Sequence, residues 1–337
     1  MTHMSKTCVR PLRIGSVEIG FPVVQAALSG YSDWAMRMIA RRLGAPYALC
    51  EVMLDQFLLS VRQRQRTRHF FHLTDDDHPV GGQLMGAEPD QFAAGAQRLV
   101  AAGFDVIDIN FGCPVRKVLG RCRGGYHLSR PAGALEVIRR TRDVVPDSIP
   151  LTVKMRRGMD DTPESYERFL EILTGAFQLG VAAVTIHART VRQRYEGPSQ
   201  WSFLRHVREL FPTQTILGSG DLFTAEDCLR MMAQTGVDGV TVARGAIGNP
   251  WIFAQTRALA NGHTPRAVTL PEQREVIREH YRLAEQLYGA DRCGPLMRKF
   301  GIKYAALHPR GNEVREAFVR VRSRAEWEQV LSLHYPS

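Results

Sequence analysis

The chain has 337 residues, 44% of them apolar, enough for a barrel-sized domain with a large core and an appendage. Forty-four Lys and Arg against 34 Asp and Glu give a net charge of +10, which favours a phosphate-rich partner without identifying one. There is no apolar run of 18 residues and no apolar signal core at the N-terminus. The six cysteines (8, 50, 113, 122, 228, 293) make neither a C-x-x-C pair nor a zinc-spaced cluster, so the expectation is a cytoplasmic monomer with free thiols, no membrane span and no metal.

In chain order, apolar runs at 21–27, 47–52, 81–85, 106–110, 151–155, 183–187, 215–218 and 239–243 read as strands. Helical patterns fill most of the gaps. Ser32-Asp33 leads into one over 34–43, Pro89 opens one to 102, Pro131 one to 145 and Pro163 one to 179, while Thr224 caps one to 235. Gly44, Gly103, Gly180 and Gly236 stand just past four of these ends, where a left-handed residue stops a helix. Eight such units predict an α/β fold, a (β/α)8 TIM barrel over 12–262. A doubly wound sheet would carry G-x-G-x-x-G after its first strand, and Ala26-Ala27-Leu28-Ser29-Gly30 is not that. Turn formers at 261–265 then break the pattern, and 272–288, 294–307 and 313–333 read as three helices of a small all-α domain at 268–335.

Barrel chemistry gathers at the C-terminal ends of the strands. The polar residues there are Gln83, Asn110, Cys113, Lys154, His187, Arg189, Ser219, Gly220, Asp221, Arg244 and Gly245. Singly they have ordinary readings: a buried thiol, a snorkelling lysine, a satisfied core histidine. Together they are costly to bury unless something pairs with them. Glycines after the seventh and eighth strands lie where barrels hold a phosphate. Lys154 suits a polarised carbonyl or an anionic ring. A redox ring with a phosphate tail, such as FMN, meets all these demands.

Several segments carry a resemblance: Asp108-Ile109-Asn110-Phe111-Gly112-Cys113-Pro114 with Lys117-Val118, Val153-Lys154-Met155-Arg156-Arg157-Gly158 and Ile186-His187-Ala188-Arg189-Thr190. To these add Gly218-Ser219-Gly220-Asp221, Ala243-Arg244-Gly245 and Asn249-Pro250-Trp251-Ile252-Phe253. The chain resembles the tRNA-dihydrouridine synthase family, in its bacterial general type, over almost its whole length. That resemblance implies reduction of a tRNA uridine to 5,6-dihydrouridine, with FMN as cofactor and NADPH as reductant. Hydride would reach uracil C6 from FMN, and Cys113 would be the acid for C5, on a loop able to close over the base. Ala27, Leu28, Ser29, Gln83, Lys154, His187, Ser219, Gly220, Asp221, Ala243 and Arg244 fall at flavin positions, and Asn110 and Arg189 at substrate positions.

The basic charge would then face tRNA, whose target base must be turned out of its stack. Arg298, Lys299 and Lys303 share a helical face by spacing and are candidates for that contact. So are the run Arg62, Arg64, Arg66 and Arg68, the set Arg189, Arg192 and Arg194, and the set Arg320, Arg322 and Arg324; a solvated charged face is the plain alternative for each. The chain departs from the family pattern at Ala27, where the family has proline, at Ser219 and Ala243, and in the bulky stretch from Arg123 to His127. The alternatives are a flavin-barrel reductase of a small pyrimidine or enone and a flavin-free tRNA-binding homologue.

Overall fold

The computed structural model describes residues 9–60 and 67–336; Arg62, Arg64 and Arg66 lie outside the described residues. The first elements are a short antiparallel hairpin, β1 (Leu12–Ile14) and β2 (Val17–Gly20), turning at Gly15-Ser16. Its Leu12, Ile14 and Ile19 are buried together with Val24, Tyr47, Leu49, Val106, Ala183 and Leu217, filling the N-terminal half of the barrel interior. The strand pattern does not reveal this hairpin, because three or four residues are too few to show a period.

All eight expected strands form. They are β3 (Val23–Gln25), β4 (Ala48–Leu49) with its short continuation β5 (Met53–Leu54), β6 (Val80–Met85), β7 (Val106–Phe111), β8 (Leu151–Arg156), β9 (Ala183–His187), β10 (Ile216–Ser219) and β11 (Gly239–Val242). Pairing runs in parallel through β3, β4, β6, β7, β8, β9, β10 and β11 and returns to β3, so the sheet closes as a TIM barrel. Alternation along β7 shows how one strand serves two layers. Ile107, Ile109 and Phe111 join the outer apolar cluster, while Val106, Asp108 and Asn110 share the inward face.

The outer shell is α1 (Trp34–Arg42), α2 (Asp55–Ser60), α3 (Pro89–Ala101), the single turn α4 (Arg116–Leu119), α5 (Pro131–Val144), α6 (Pro163–Gln178), α7 (Trp201–Leu210), α8 (Ala225–Thr235) and α9 (Ile252–Ala260). Asp33 caps α1 by accepting from Met36 N, and Thr224 with Asp227 makes a capping box on α8. Gly236 ends α8 with φ +73°, as its position predicts.

Among the described residues four helices follow rather than three: α10 (Leu270–Tyr288), α11 (Ala290–Tyr304), α12 (Gly311–Arg320) and α13 (Arg324–His334). The helix expected over 313–333 is cut at Val321, whose backbone turns extended, and Ser323 and Glu326 then cap a new start. These helices share one continuous apolar cluster with the barrel shell. Tyr288 Oη donates to Asp33 Oδ2 at 2.8 Å, and the Tyr31 and Phe300 rings meet edge-on at 5.3 Å. Arg68, the described member of the alternating run, donates to the Gln286 and Leu287 carbonyls, so it joins α10 to the barrel. Among the described residues no helix is long and apolar enough to cross a membrane.

Candidate active site

A cavity of about 430 Å³ opens at the C-terminal end of the barrel, within the range of small-molecule sites. Every position expected on the flavin side lines it: Ala27, Leu28, Ser29, Gln83, Lys154, His187, Ser219, Gly220, Asp221, Ala243 and Arg244. Asn110, Cys113 and Lys303 line it too, whereas Arg189, Arg298 and Lys299 do not.

On the β6–β7 wall the side-chain amides are locked in sequence. Thr152 Oγ1 donates to Asp108 Oδ1 at 2.6 Å, and Gln83 Nε2 donates to Asp108 Oδ2 at 2.7 Å. Gln83 Oε1 accepts from Asn110 Nδ2 at 2.8 Å, and Asn110 Oδ1 accepts from Gly112 N at 2.9 Å. Asn110 is left with one N–H to offer, so toward a ligand it is a donor.

Cys113 follows on the turn after β7. Burial pushes its thiol up from the ordinary value, while Val115 N and Arg156 pull the other way. It therefore stays protonated at neutral pH. The stretch from Arg123 to His127 is what seats it. Gly125 N donates to the Cys113 carbonyl at 3.0 Å, and a Cβ on Gly124, whose φ is +59°, would lie 2.8 Å from Cys113 Cβ. Behind this contact Arg123 is buried against Asp55 at 3.6 Å. His127 packs 4.6 Å from the Phe111 ring and bonds the Gly86 carbonyl through Nε2 at 3.0 Å. The bulky side chains pin the far end of the Cys loop to β7 and α2.

The adjoining wall is cationic, beginning with Lys154, which stands beside Asn110 in the β7–β8 ladder. Lys154 has no carboxylate at ion-pair distance among the described residues, and burial, with Arg156 beside it, lowers its ammonium to about 8. His187 is held neutral: burial, then Lys154, Arg156, Arg189 and Arg244, bring it to about 2. The 219–222 and 243–245 loops meet with no room for side chains. A Cβ on Gly220 (φ +111°) would fall 2.4 Å from Ser199 Oγ, and one on Gly245 would fall 2.1 Å from the Leu222 carbonyl. Thr241 Oγ1 is buried at the cavity wall with no partner among the described residues. An under-neutralised lysine, two glycine loops and an orphan hydroxyl fit an anionic group such as a phosphate.

Arg189 departs from its expected place. It is 3% exposed, and Nη2 donates to Asp221 Oδ1 and Oδ2 at 2.8 and 2.7 Å and to the Gly197 carbonyl. Its charge is spent on holding Asp221 in a left-handed conformation of φ +57° rather than on reaching into the cavity. Ser219 likewise turns its hydroxyl to the Thr241 carbonyl at 3.4 Å. Lys299 donates to the Gly30 carbonyl beneath the cavity's 27–29 edge.

Sequence reasoning left Arg156, Tyr195 and Phe223 without roles, and all three line the cavity. Arg156 was legible: it stands two residues beyond Lys154 on β8, hence on the same face. The two aromatics lie on loops and carry no periodic signal.

Residues 24–336 match the family described as dihydrouridine synthase (Dus). A protein of Mycobacterium tuberculosis named probable tRNA-dihydrouridine synthase is 34% identical over 330 residues, 95% of this chain and 84% of that protein. A Rickettsia conorii protein of the same name is 31% identical over 91% of each chain. Among solved structures, the old yellow enzyme homologue from Zymomonas mobilis superimposes with TM-score 0.57 over 78% of this chain and 95% of its own, at 14% identity. Histamine dehydrogenase from Rhizobium does so with TM-score 0.58 at 16% identity, over 81% of this chain and 50% of that one. These structures share the barrel; the sequence matches go further, and the chain belongs to the dihydrouridine synthase family.

Proposed function

We propose that this chain is a flavin-dependent enzyme that reduces a uridine of tRNA to 5,6-dihydrouridine, with FMN in the barrel cavity and NADPH as reductant. Family membership supports the reaction class. The observation that carries the chemistry is a protonated thiol, Cys113, lining one cavity with Lys154 and His187 and three residues beyond a fixed amide donor.

Bound there, FMN would supply the hydride chemistry, directed at C6 of the uracil ring. The protein's part is the proton and the placement. Cys113 gives its Sγ proton to C5, leaving a thiolate that Arg156 stabilises and solvent reprotonates. Asn110 offers its free N–H to a uracil carbonyl, an oxygen that cytosine lacks at position 4. Lys154, Thr241 Oγ1 and the glycine loops hold the anionic end of the cofactor, and neutral His187 adds a hydrogen bond without a competing charge. The helices over 268–335, with Lys303 at the cavity edge, face the RNA backbone.

The experiment is Cys113→Ala in purified, flavin-loaded protein. NADPH should bleach the flavin as before, while dihydrouridine formation in tRNA falls by about 10²- to 10⁴-fold. Unimpaired reduction by the variant removes the acid assignment. Equal reduction of free uracil and tRNA by the native protein favours a small-molecule reductase instead.

A further inference from the structure

The cavity mouth carries two aromatic side chains that the proton and hydride steps leave without a task. Tyr195 is 55% exposed and Phe223 is 47% exposed, and both line the opening. They belong to an alternating series of cations and rings. The Arg156 guanidinium lies 5.4 Å from the Tyr195 ring centre; Arg244 lies 4.6 Å from Tyr195 and 5.2 Å from Phe223. The series starts from a fixed point, because Arg156 is buried and donates to the Gly112, Thr190 and Arg194 carbonyls at 2.9, 2.8 and 2.6 Å. Its outer end is also tied down: Phe223 N donates to Asp227 Oδ2 at 3.1 Å, so Phe223 is joined to the capping box of α8. An exposed phenyl ring on a rigid backbone beside a half-exposed arginine is poorly explained by folding, since it buries little.

We propose that Phe223 and Arg244 form a stacking site for a second nucleobase of the RNA, one next to the base that enters the cavity. The proposal rests on the tRNA reading above. Extruding one nucleotide strips a neighbour of its stacking partner, exposing a flat aromatic face at the cavity mouth. Phe223 offers that face a ring, and Arg244 offers a cation able to stack or to pair with the adjoining phosphate. Nothing in this contact reads a base edge, so the site tolerates any base at that position. It lies at the mouth of the same cavity, apart from the Asn110 contact that selects the uracil.

The test uses full-length, flavin-loaded protein and unmodified tRNA, with Phe223→Ala and Phe223→Trp. Dissociation constants are measured across a salt series, together with flavin affinity and the NADPH dependence of flavin reduction. Phe223→Ala should weaken tRNA binding by about 5- to 150-fold with the salt slope unchanged, and Phe223→Trp should restore it. Flavin affinity and flavin reduction should not move. Binding of tRNA by Phe223→Ala within twofold of the native protein overturns the proposal, as does a loss seen only as a smaller salt slope. An effect confined to NADPH also overturns it, by placing a dinucleotide ring at Phe223. Native protein that neither binds nor reduces tRNA brings down the parent reading and this one together; normal native behaviour with an indifferent Phe223→Ala brings down this one alone.

Discussion

Asn110 Nδ2 donates to Gln83 Oε1 at 2.8 Å, and Gln83 Nε2 is itself committed to Asp108 Oδ2 at 2.7 Å, so neither amide can flip without losing a partner. The buried carboxylate at the root of this chain decides what Asn110 shows to the cavity. Asn110→Asp reverses that: an acceptor replaces the donor and faces Gln83 Oε1 besides. The expected outcome is a fall of about 10²-fold in kcat/KM for tRNA, from a lost hydrogen bond plus a repulsive contact. The NADPH-driven bleaching of the flavin, measured alone, should stay within a few-fold, because Asn110 touches only the second half of the reaction.

The seat beneath Cys113 makes a second prediction. A Cβ on Gly125 would lie 2.7 Å from Val191 Cγ2 and 3.0 Å from the Cys113 carbonyl. Gly125→Ala therefore has to push the thiol loop outward or displace Val191, at a cost of about 1–3 kcal/mol. We expect a melting temperature lowered by a few degrees and a drop in tRNA reduction of at least about tenfold, with flavin content preserved. Full activity in a normally folded Gly125→Ala protein would show that the loop repositions Cys113 without help from the 124–129 turn.

How much of this was legible follows from what each residue's neighbours in sequence could reveal. Lys154, His187 and Asn110 sit at strand ends whose period-two alternation already fixes their inward face, so the sequence placed them at one rim before any coordinates. Arg189 also stands beyond a strand end, but two residues past His187 the chain has left the sheet, and Asp221 claims the guanidinium. Tyr195 and Phe223 belong to loops, where no period says which way a ring points. The stretch from Arg123 to His127 looked anomalous because bulky residues follow the Cys113 turn; its partners, Asp55 and Gly86, are distant in sequence and only the fold brings them near. The break between α12 and α13 was written locally, as Ser323 three residues before Glu326, and was hidden by apolar residues continuing on both sides.

Lys154 sets a pH dependence. Its ammonium is lowered to about 8 from 10.5, chiefly by burial. The charged form is therefore the disfavoured one in the folded, ligand-free protein. The destabilisation is fully present below pH 8 and is relieved as pH rises toward 10.5, where the unfolded chain still holds the proton and the native protein does not. Anion binding has the opposite sense, since it needs the charge. FMN affinity should be flat below about pH 7.5 and then weaken by up to tenfold per pH unit above about pH 8. Lys154→Met should bind FMN weakly and lose that slope, while gaining stability relative to the native chain at neutral pH. A native profile that stays level to about pH 9.5 would mean that Lys154 does not hold the anion.

Lys299 separates two roles that its sequence position could not. As a basic residue on a helical face it was expected to meet RNA phosphate. In the fold its ammonium donates to the Gly30 carbonyl while Glu51 Oε2 accepts from Gly30 N at 2.9 Å, so the two peptides flanking Gly30 are both held. The same ammonium lies 5.2 Å from the Tyr31 ring and 5.1 Å from Phe300, and with Arg37 it supplies positive charge near Asp33 and half-buried Glu51, both of whose carboxyls burial pushes up. The residues just ahead of Gly30, from Ala27 to Ser29, form the cavity edge. Lys299→Met should therefore weaken FMN binding by about 5- to 20-fold, less than a full charged hydrogen bond because the contact acts through the 27–30 backbone, and leave the salt slope of tRNA binding unchanged. Lys299→Arg should recover part of the flavin affinity, because a cation is restored although the guanidinium is broader than the ammonium it replaces. If Lys299→Met binds FMN normally and lowers the salt slope by about one, the lysine is a phosphate contact and the grip on Gly30 is incidental.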